Sequence, residues 1–261
     1  MAVAYNDLVL CSQEDDIAVL TLHNPPRRNA FSKDMREVFL KHLLALHDDP
    51  KCRAIVVTGA DGQFCSGGDM SEMRRRPVLE ARQRMELATR IFKLLVTGPK
   101  PYIAAAEGGV AGAGLSLLAA SDYAVVAENA TLSCGFIKVG LIPDVGGLWS
   151  IPRRIGRRRA MELCGLGESL DAMAALDMEL VNEVAPDGQA LNRAMAVARR
   201  FARNPPVAMA LLRSALATGA DTLDQAVNSE INLQGALMNT EDFGEACQAF
   251  LEKRKPVFSG S

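Results

Sequence analysis

Tyr102-Ile-Ala-Ala-Ala-Glu-Gly-Gly-Val-Ala-Gly-Ala-Gly-Leu-Ser-Leu-Leu-Ala-Ala120 carries a single charge, Glu107, and four glycines in its middle. Its first part, Tyr102–Ala106, is too short for a helix and runs into glycines 108, 109, 112 and 114, so it reads as a buried strand. Leu115–Ala120 reads as a buried helix, and Tyr123–Val126 as the next strand. Upstream, Ile17–Leu22 is a strand stopped by Asn24-Pro25-Pro26. Ser32 caps a helix through Leu46, with Met35, Val38, Phe39, Leu43 and Leu46 at helical spacing. Arg53–Thr58 is a further buried strand, running into Gly59-Ala-Asp-Gly62. Strand, helix, strand is a crossover unit, and it requires a parallel sheet.

Further out, Ser66-Gly67-Gly68-Asp69 interrupts the pattern before a charged helix from about Pro77 to Val96, closed by Gly98-Pro99. From Gly156 onward the pattern is almost entirely helical. Asn204-Pro205-Pro206 separates Leu191–Ala202 from Val207–Ala217, Asp221 and Thr222 open a helix towards Leu237, and Thr240 caps a last one to Lys253. The expected organisation is a strand-rich α/β core over residues 1–195 and a helical region over 196–261.

The chain has 261 residues, long enough to bury a core without a metal or disulfide staple. Lys and Arg number 29 against 31 Asp and Glu, a balance that argues against wholesale nucleic-acid or membrane binding. The runs Arg74–Arg76 and Arg157–Arg159 are local, and read as solvated helix faces or an anionic-ligand patch. The six cysteines form no C-x-x-C pair and no zinc spacing, and the sequence start has no secretory pattern, so a reduced, cytoplasmic protein is expected.

His23, His42 and His47 form no triad pattern, and no nucleophile elbow, P-loop or zinc-protease motif is present. Gly108–Gly114 has dinucleotide-type glycine spacing but lacks a clear acidic residue at the following strand end. Two glycine clusters, each after a buried strand, allow another reading. Their backbone N–H groups can converge on one oxygen, with the following helix adding its positive end. Two tight turns without a ligand remain the alternative.

Several ordered motifs then resemble the crotonase (enoyl-CoA hydratase/isomerase) superfamily. They are Asn24-Pro-Pro-Arg-Arg-Asn-Ala-Phe31, Phe64-Cys-Ser-Gly-Gly-Asp69, Gly108 to Asp122, Gly140-Leu-Ile-Pro-Asp-Val-Gly-Gly147 and Ala249-Phe-Leu-Glu-Lys-Arg-Lys-Pro256. The resemblance implies an α/β spiral of ββα units with a helical C-terminal trimerisation region, assembled as a homo-trimer or hexamer. It implies an acyl-CoA thioester as ligand, with coenzyme A part of the substrate and no separate cofactor or metal. By position, the backbone N–H groups of Gly68 and Ala113 would hold the thioester carbonyl. Arg28 and Ala30 would lie near the adenine and phosphates, with an exposed loop charge as the plain alternative for Arg28. Ser66, Gly67, Asp69 and Met70 would flank the pantetheine, Gly112 and Leu141 would line the site, and Phe250 and Lys253 would reach a neighbouring subunit's nucleotide.

The departures from the family pattern carry the functional expectation. Where hydratases of the family have two glutamates, this sequence has Ser116 and Phe136, neither able to act as a carboxylate acid or base. Asp144 stands where several isomerases of the family use an aspartate, and burial beside Phe136 should raise its pKa. Its plain alternative is capping the helix that begins near Val145. Glu72 is a weaker candidate, and Cys65 reads as a packing residue. The expectation is therefore an acyl-CoA isomerase in fatty-acid or aromatic acyl-CoA metabolism, acting on a 3-enoyl or aromatic-derived thioester. Motif order and the Phe136/Asp144 pair resemble the phenylacetate-pathway ring-epoxide isomerase group and the double-bond isomerases. A weak or broad enoyl-CoA hydratase is the alternative. A dehalogenase-like use of Asp144 comes third, lacking an identifiable histidine base. A non-catalytic CoA- or RNA-binding role would rest on the basic runs alone.

Overall fold

The computed structural model describes residues 3–261. Its strands are β1 (Val9–Glu14), β2 (Ile17–Leu22), β3 (Ala54–Gly59), β4 (Tyr102–Ala106), β5 (Gly109–Ala111), β6 (Tyr123–Ala127), β7 (Thr131–Ser133), β8 (Ser169–Asp171) and β9 (Glu183–Ala185). Six of them form one sheet in the order β1-β2-β3-β4-β6-β9, parallel except for the β1–β2 hairpin. A second sheet, β5-β7-β8, is joined to the loop after β3 by a bridge between Cys65 and Val110.

The large sheet is buried on both faces, which is why its central strands read as continuous apolar runs rather than alternating ones. Ile17, Val19, Ala54, Val56, Ile103, Ala105 and Val125 point to one face and pack on α6 (Ala190–Ala202). Ala18, Leu20, Ile55, Val57, Ala104 and Val126 point to the other, towards α1 (Lys33–Asp48), α2 (Val78–Thr97) and α3 (Ala113–Ala119). Alternation by single residues along each strand separates the two layers. Ser32 caps α1 by accepting from the Met35 N–H at 3.2 Å, as its position in the sequence requires.

The helix expected near Val145 is α4 (Gly147–Leu166), and the helical reading from Gly156 onward is corrected in two ways. α4 is broken at Gly156, whose φ of 73° is non-helical. The short β8 and β9 interrupt the helices, α5 (Ala172–Asp177) lying between them. Three-residue strands are held by pairing at a sheet edge and leave no periodicity to read. The expected boundary at residue 195 falls inside α6, a helix of the sheet's packing layer. Beyond it, α7 (Pro206–Thr218), α8 (Leu223–Leu237) and α9 (Glu241–Glu252) follow the predicted breaks, with Thr222 and Thr240 as N-caps.

Those last helices differ from the core. α8 has no buried residue, and Leu216, Leu223, Ile231, Met238, Phe250 and Leu251 are exposed. Among the described residues no helix is long and apolar enough to cross a membrane.

Candidate active site

The site lies where the loop after β3 meets the loop after β5. The Cys65 N–H donates to Gly109 O at 3.0 Å and the Ala111 N–H to Cys65 O at 2.9 Å, locking the two segments side by side. Past this bridge they stop pairing. The N–H groups of Gly68 and Ala113 have no acceptor among the described residues, and Ala113 is the first residue of α3, where helical N–H groups are free. A methyl placed on Gly67 would lie 3.0 Å from Ala111 O and 3.6 Å from Ala113 N, so the two loops touch here. Gly67 has φ +99° and Gly112 φ +51°, ψ −118°, backbone shapes that glycine alone adopts readily.

A polar frame holds the first loop. Asn29 is fully buried, accepts from the Asn24 N–H, and donates to Ala60 O at 2.9 Å and Gln63 O at 2.6 Å. Asp69 accepts from the Ser71 N–H and from Arg27 at 2.7 Å. Burial opposes its ionisation, but the Ser71 and Arg27 hydrogen bonds outweigh this and hold its carboxyl below the usual range. The Ser66 N–H donates to Arg28 O, and the Phe31 N–H donates to Gly67 O at 2.7 Å.

The opposite wall is made of side chains. Phe136 is buried, and a methyl on Gly112 would meet its Cζ at 3.7 Å. Ser116 lies fully buried against Gly147 with its Oγ unpartnered. Asp144 precedes Val145 and Gly146, both with positive φ (49° and 76°). For a β-branched valine this is a genuine outlier, costing about 1–3 kcal/mol. Asp144 does not cap α4, and its Oδ1 is buried without a partner. Burial pushes its pKa up, opposed chiefly by Arg36.

The chain matches the family model described as Enoyl-CoA hydratase/isomerase over residues 12–261. It belongs to the enoyl-CoA hydratase/isomerase family. It is 33% identical to a 1,2-epoxyphenylacetyl-CoA isomerase of Escherichia coli (strain K12), covering 97% of this chain and 99% of that protein. It is 31% identical to a crotonyl-CoA hydratase of Syntrophomonas wolfei, covering 98% and 99%. The crystal structure of an enoyl-CoA hydratase from Polaromonas sp. JS666 superposes with a TM-score of 0.91 at 35% identity, covering 96% of this chain and 99% of that one. The crotonase-like α/β spiral expected from the motifs is the fold observed.

For this member of the family, the structure brings together Gly67, Gly68, Gly112, Ala113 and Phe136, while Ser116 of α3 and Pro143, next to Asp144, both lie against Gly147. Ala30 is buried in the loop that carries Arg28, which is exposed, left-handed at φ 48° and without a side-chain partner among the described residues. Ser66, Met70 and Leu141 are exposed. Phe250 is 82% exposed and Lys253 ends α9. Glu72 is engaged, accepting from the Lys33 N–H at 3.2 Å and from Arg84 at 2.5 Å. Burial raises the Cys65 thiol to about 11, fitting a packing role. Arg74 and Arg76 both pair with Glu80.

Two residues escaped the sequence reading. Asn29 stood inside a quoted motif without being singled out. Arg36 had a readable signal, since it shares the apolar stripe of α1 with Phe39, Leu40 and Leu43 at helical spacing.

Proposed function

We propose that this chain is an acyl-CoA isomerase in which Asp144 moves a proton while the Gly68 and Ala113 N–H groups hold the thioester oxygen. The observation that carries this reading is the buried, unpartnered Oδ1 of Asp144, whose carboxyl is raised in pKa by burial, on a wall where Ser116 and Phe136 supply no second carboxylate. With a 3-enoyl thioester, the Asp144 carboxylate removes a proton from C2. The C2–H electron pair becomes an enolate whose oxygen accepts both N–H groups, conjugated with C3=C4. The new carboxylic acid then protonates C4, leaving C2=C3 and restoring the Asp144 carboxylate. No atom is gained or lost. Burial suits the shuttle, because a carboxylate whose pKa stands above the ordinary aspartate value is a stronger base towards the C2 proton.

Hydration is the second reading, favoured by the two buried oxygens Ser116 Oγ and Asp144 Oδ1, each without a partner among the described residues. One experiment separates the two. The protein is incubated with a 3-enoyl-CoA and with crotonyl-CoA, and products are followed by mass. Isomerisation without mass gain, lost in Asp144→Asn, is expected. Efficient water addition to crotonyl-CoA would overturn the isomerase reading. The same proposal includes assembly as a homo-trimer or hexamer through the exposed apolar side of α7–α9, action in the cytoplasm, and no cofactor beyond the coenzyme A of the substrate.

A further inference from the structure

Arg36 is 1% exposed, yet its guanidinium has no acceptor among the described residues, and Nε and Nη1 are fully buried without a partner. It lies with its carbon 5.4 Å from the centre of the Phe31 ring, a contact that steadies a cation but satisfies no N–H. A guanidinium has five donors and stays charged in proteins, so burial here leaves a cation without hydrogen-bonding acceptors, an arrangement that costs several kcal/mol.

Two surroundings meet at this side chain. Asp144 is the carboxylate acting on it most strongly, and the two form no direct ion pair. Glu72, the other acidic neighbour, is held by Arg84. Arg36 also lines a cleft of about 780 Å³ with Lys33, Glu72, Arg84 and Leu87. Donors on Arg36 and an acceptor on Asp144, the proposed base, thus stand unsatisfied, and Cys65, in the bridge next to the Gly67–Gly68 loop, is a further neighbour of Arg36. An all-hydrocarbon acyl group would leave both unsatisfied. A group with an accepting oxygen would satisfy the Arg36 donors.

We propose that Arg36 is a specificity-determining residue, and that the acyl groups this site prefers carry a second hydrogen-bond-accepting oxygen beyond the thioester carbonyl. The inference rests on the acyl-CoA reading above and names the substrate class for that site. A neutral carbonyl or epoxide oxygen and a carboxylate share this chemistry. Discrimination follows from an asymmetry: a site built to hydrogen-bond a substrate oxygen leaves its own buried groups unpaired with the analogue lacking it.

The test reads binding, not turnover, so it is independent of whether Asp144 isomerises anything. Saturated thioesters are titrated calorimetrically against the whole protein: 4-oxopentanoyl-CoA and 5-oxohexanoyl-CoA, and the diacid thioesters succinyl-CoA and glutaryl-CoA, each beside a hydrocarbon acyl-CoA of matched length. In the unmodified protein, at least one oxygen-bearing thioester is expected to bind tenfold or more tightly than its hydrocarbon partner. A tighter oxo arm identifies a neutral oxygen, a tighter diacid arm an acidic acyl group. In Arg36→Met the ratio falls to near one, and Arg36→Lys restores part of it. Equal affinities across every pair, or a ratio that survives Arg36→Met, would overturn the proposal, as would failure of every thioester to bind. Should Arg36→Met not fold by circular dichroism, Arg36→Gln replaces it, with the same loss of the ratio expected. Loss of isomerisation in Asp144→Asn with these ratios intact would separate the two conclusions.

Discussion

The two walls of the site are made of different material. The wall around Gly68 and Ala113 is backbone, set by a bridge at Cys65 and by glycines whose φ values other residues rarely adopt. The wall around Asp144, Ser116 and Arg36 is side chain, and each of the three has a buried polar atom without a partner. A backbone donor is deleted only by proline and is otherwise merely displaced, whereas a carboxylate or guanidinium is removed by many substitutions. Family members that share the first wall can therefore differ in chemistry through the second.

Breaking the side-chain wall should give the largest effect. Asp144→Asn keeps the shape but not the base, and kcat with a 3-enoyl-CoA is expected to fall by about 10²–10⁴. KM should change little, because the thioester is held elsewhere. Steady-state kinetics on the matched pair checks this, and a variant with unchanged kcat would remove Asp144 from the mechanism.

The backbone wall is broken by Gly112→Ala. There is room for the methyl, whose nearest neighbours lie at 3.6 Å and beyond, so the effect comes from the φ and ψ that alanine resists. Relaxation would turn the Ala113 N–H away from the oxygen. Loss of one such donor typically lowers kcat by about 10²–10³, and partial displacement should fall at or below the lower end. A normal kcat in a folded Gly112→Ala protein would mean that this N–H does not carry the thioester oxygen.

The frame behind both walls is tested through Asn29. Asn29→Ala strands the Gln63 carbonyl and the Asn24 N–H, and places alanine at φ 56°. Unfolding by urea should register a loss of about 2–3 kcal/mol, the scale of buried polar groups left unpaired.

The same contrast explains what the sequence disclosed. Glycines forced by backbone geometry recur at fixed spacing, so the Gly67–Gly68 and Gly112–Ala113 loops were legible, as were the doubly buried strands around Tyr102–Ala106. The Ser32, Thr222 and Thr240 caps were legible because capping is a local interaction. Asp144 was placed by resemblance, but its unpartnered state depends on the turn at Val145, where valine gives no hint of positive φ. Arg36 stood in plain view on an apolar stripe, yet only the packing of Phe31 and Asp144 around it reveals an unsatisfied cation. β8 and β9 are made by pairing with distant strands, which no local pattern encodes.

Titration sharpens the comparison further. If the ionised Asp144 is the base, the rate falls as pH drops through its raised pKa, so the acidic limb should lie above the ordinary aspartate value. Arg36 is the main group opposing that rise, and Arg36→Met should move the limb higher still. A limb unmoved by this substitution would mean that the two side chains do not sense each other.

The smallest expected effect concerns stability and has the opposite sign to the loss of rate. A carboxyl whose pKa is raised on folding contributes stability that is fully present below its unfolded value and lost as pH rises through the folded one. Above its folded value the ionised Asp144 therefore weakens the fold, since its burial outweighs the attraction of Arg36. Asp144→Asn should melt slightly higher than the unmodified protein near pH 7. The gain should shrink on acidification as Asp144 takes up its proton. A variant that melts lower at neutral pH would mean that the Arg36–Asp144 attraction exceeds the burial penalty, making the pair a structural element rather than a site held ready for an oxygen.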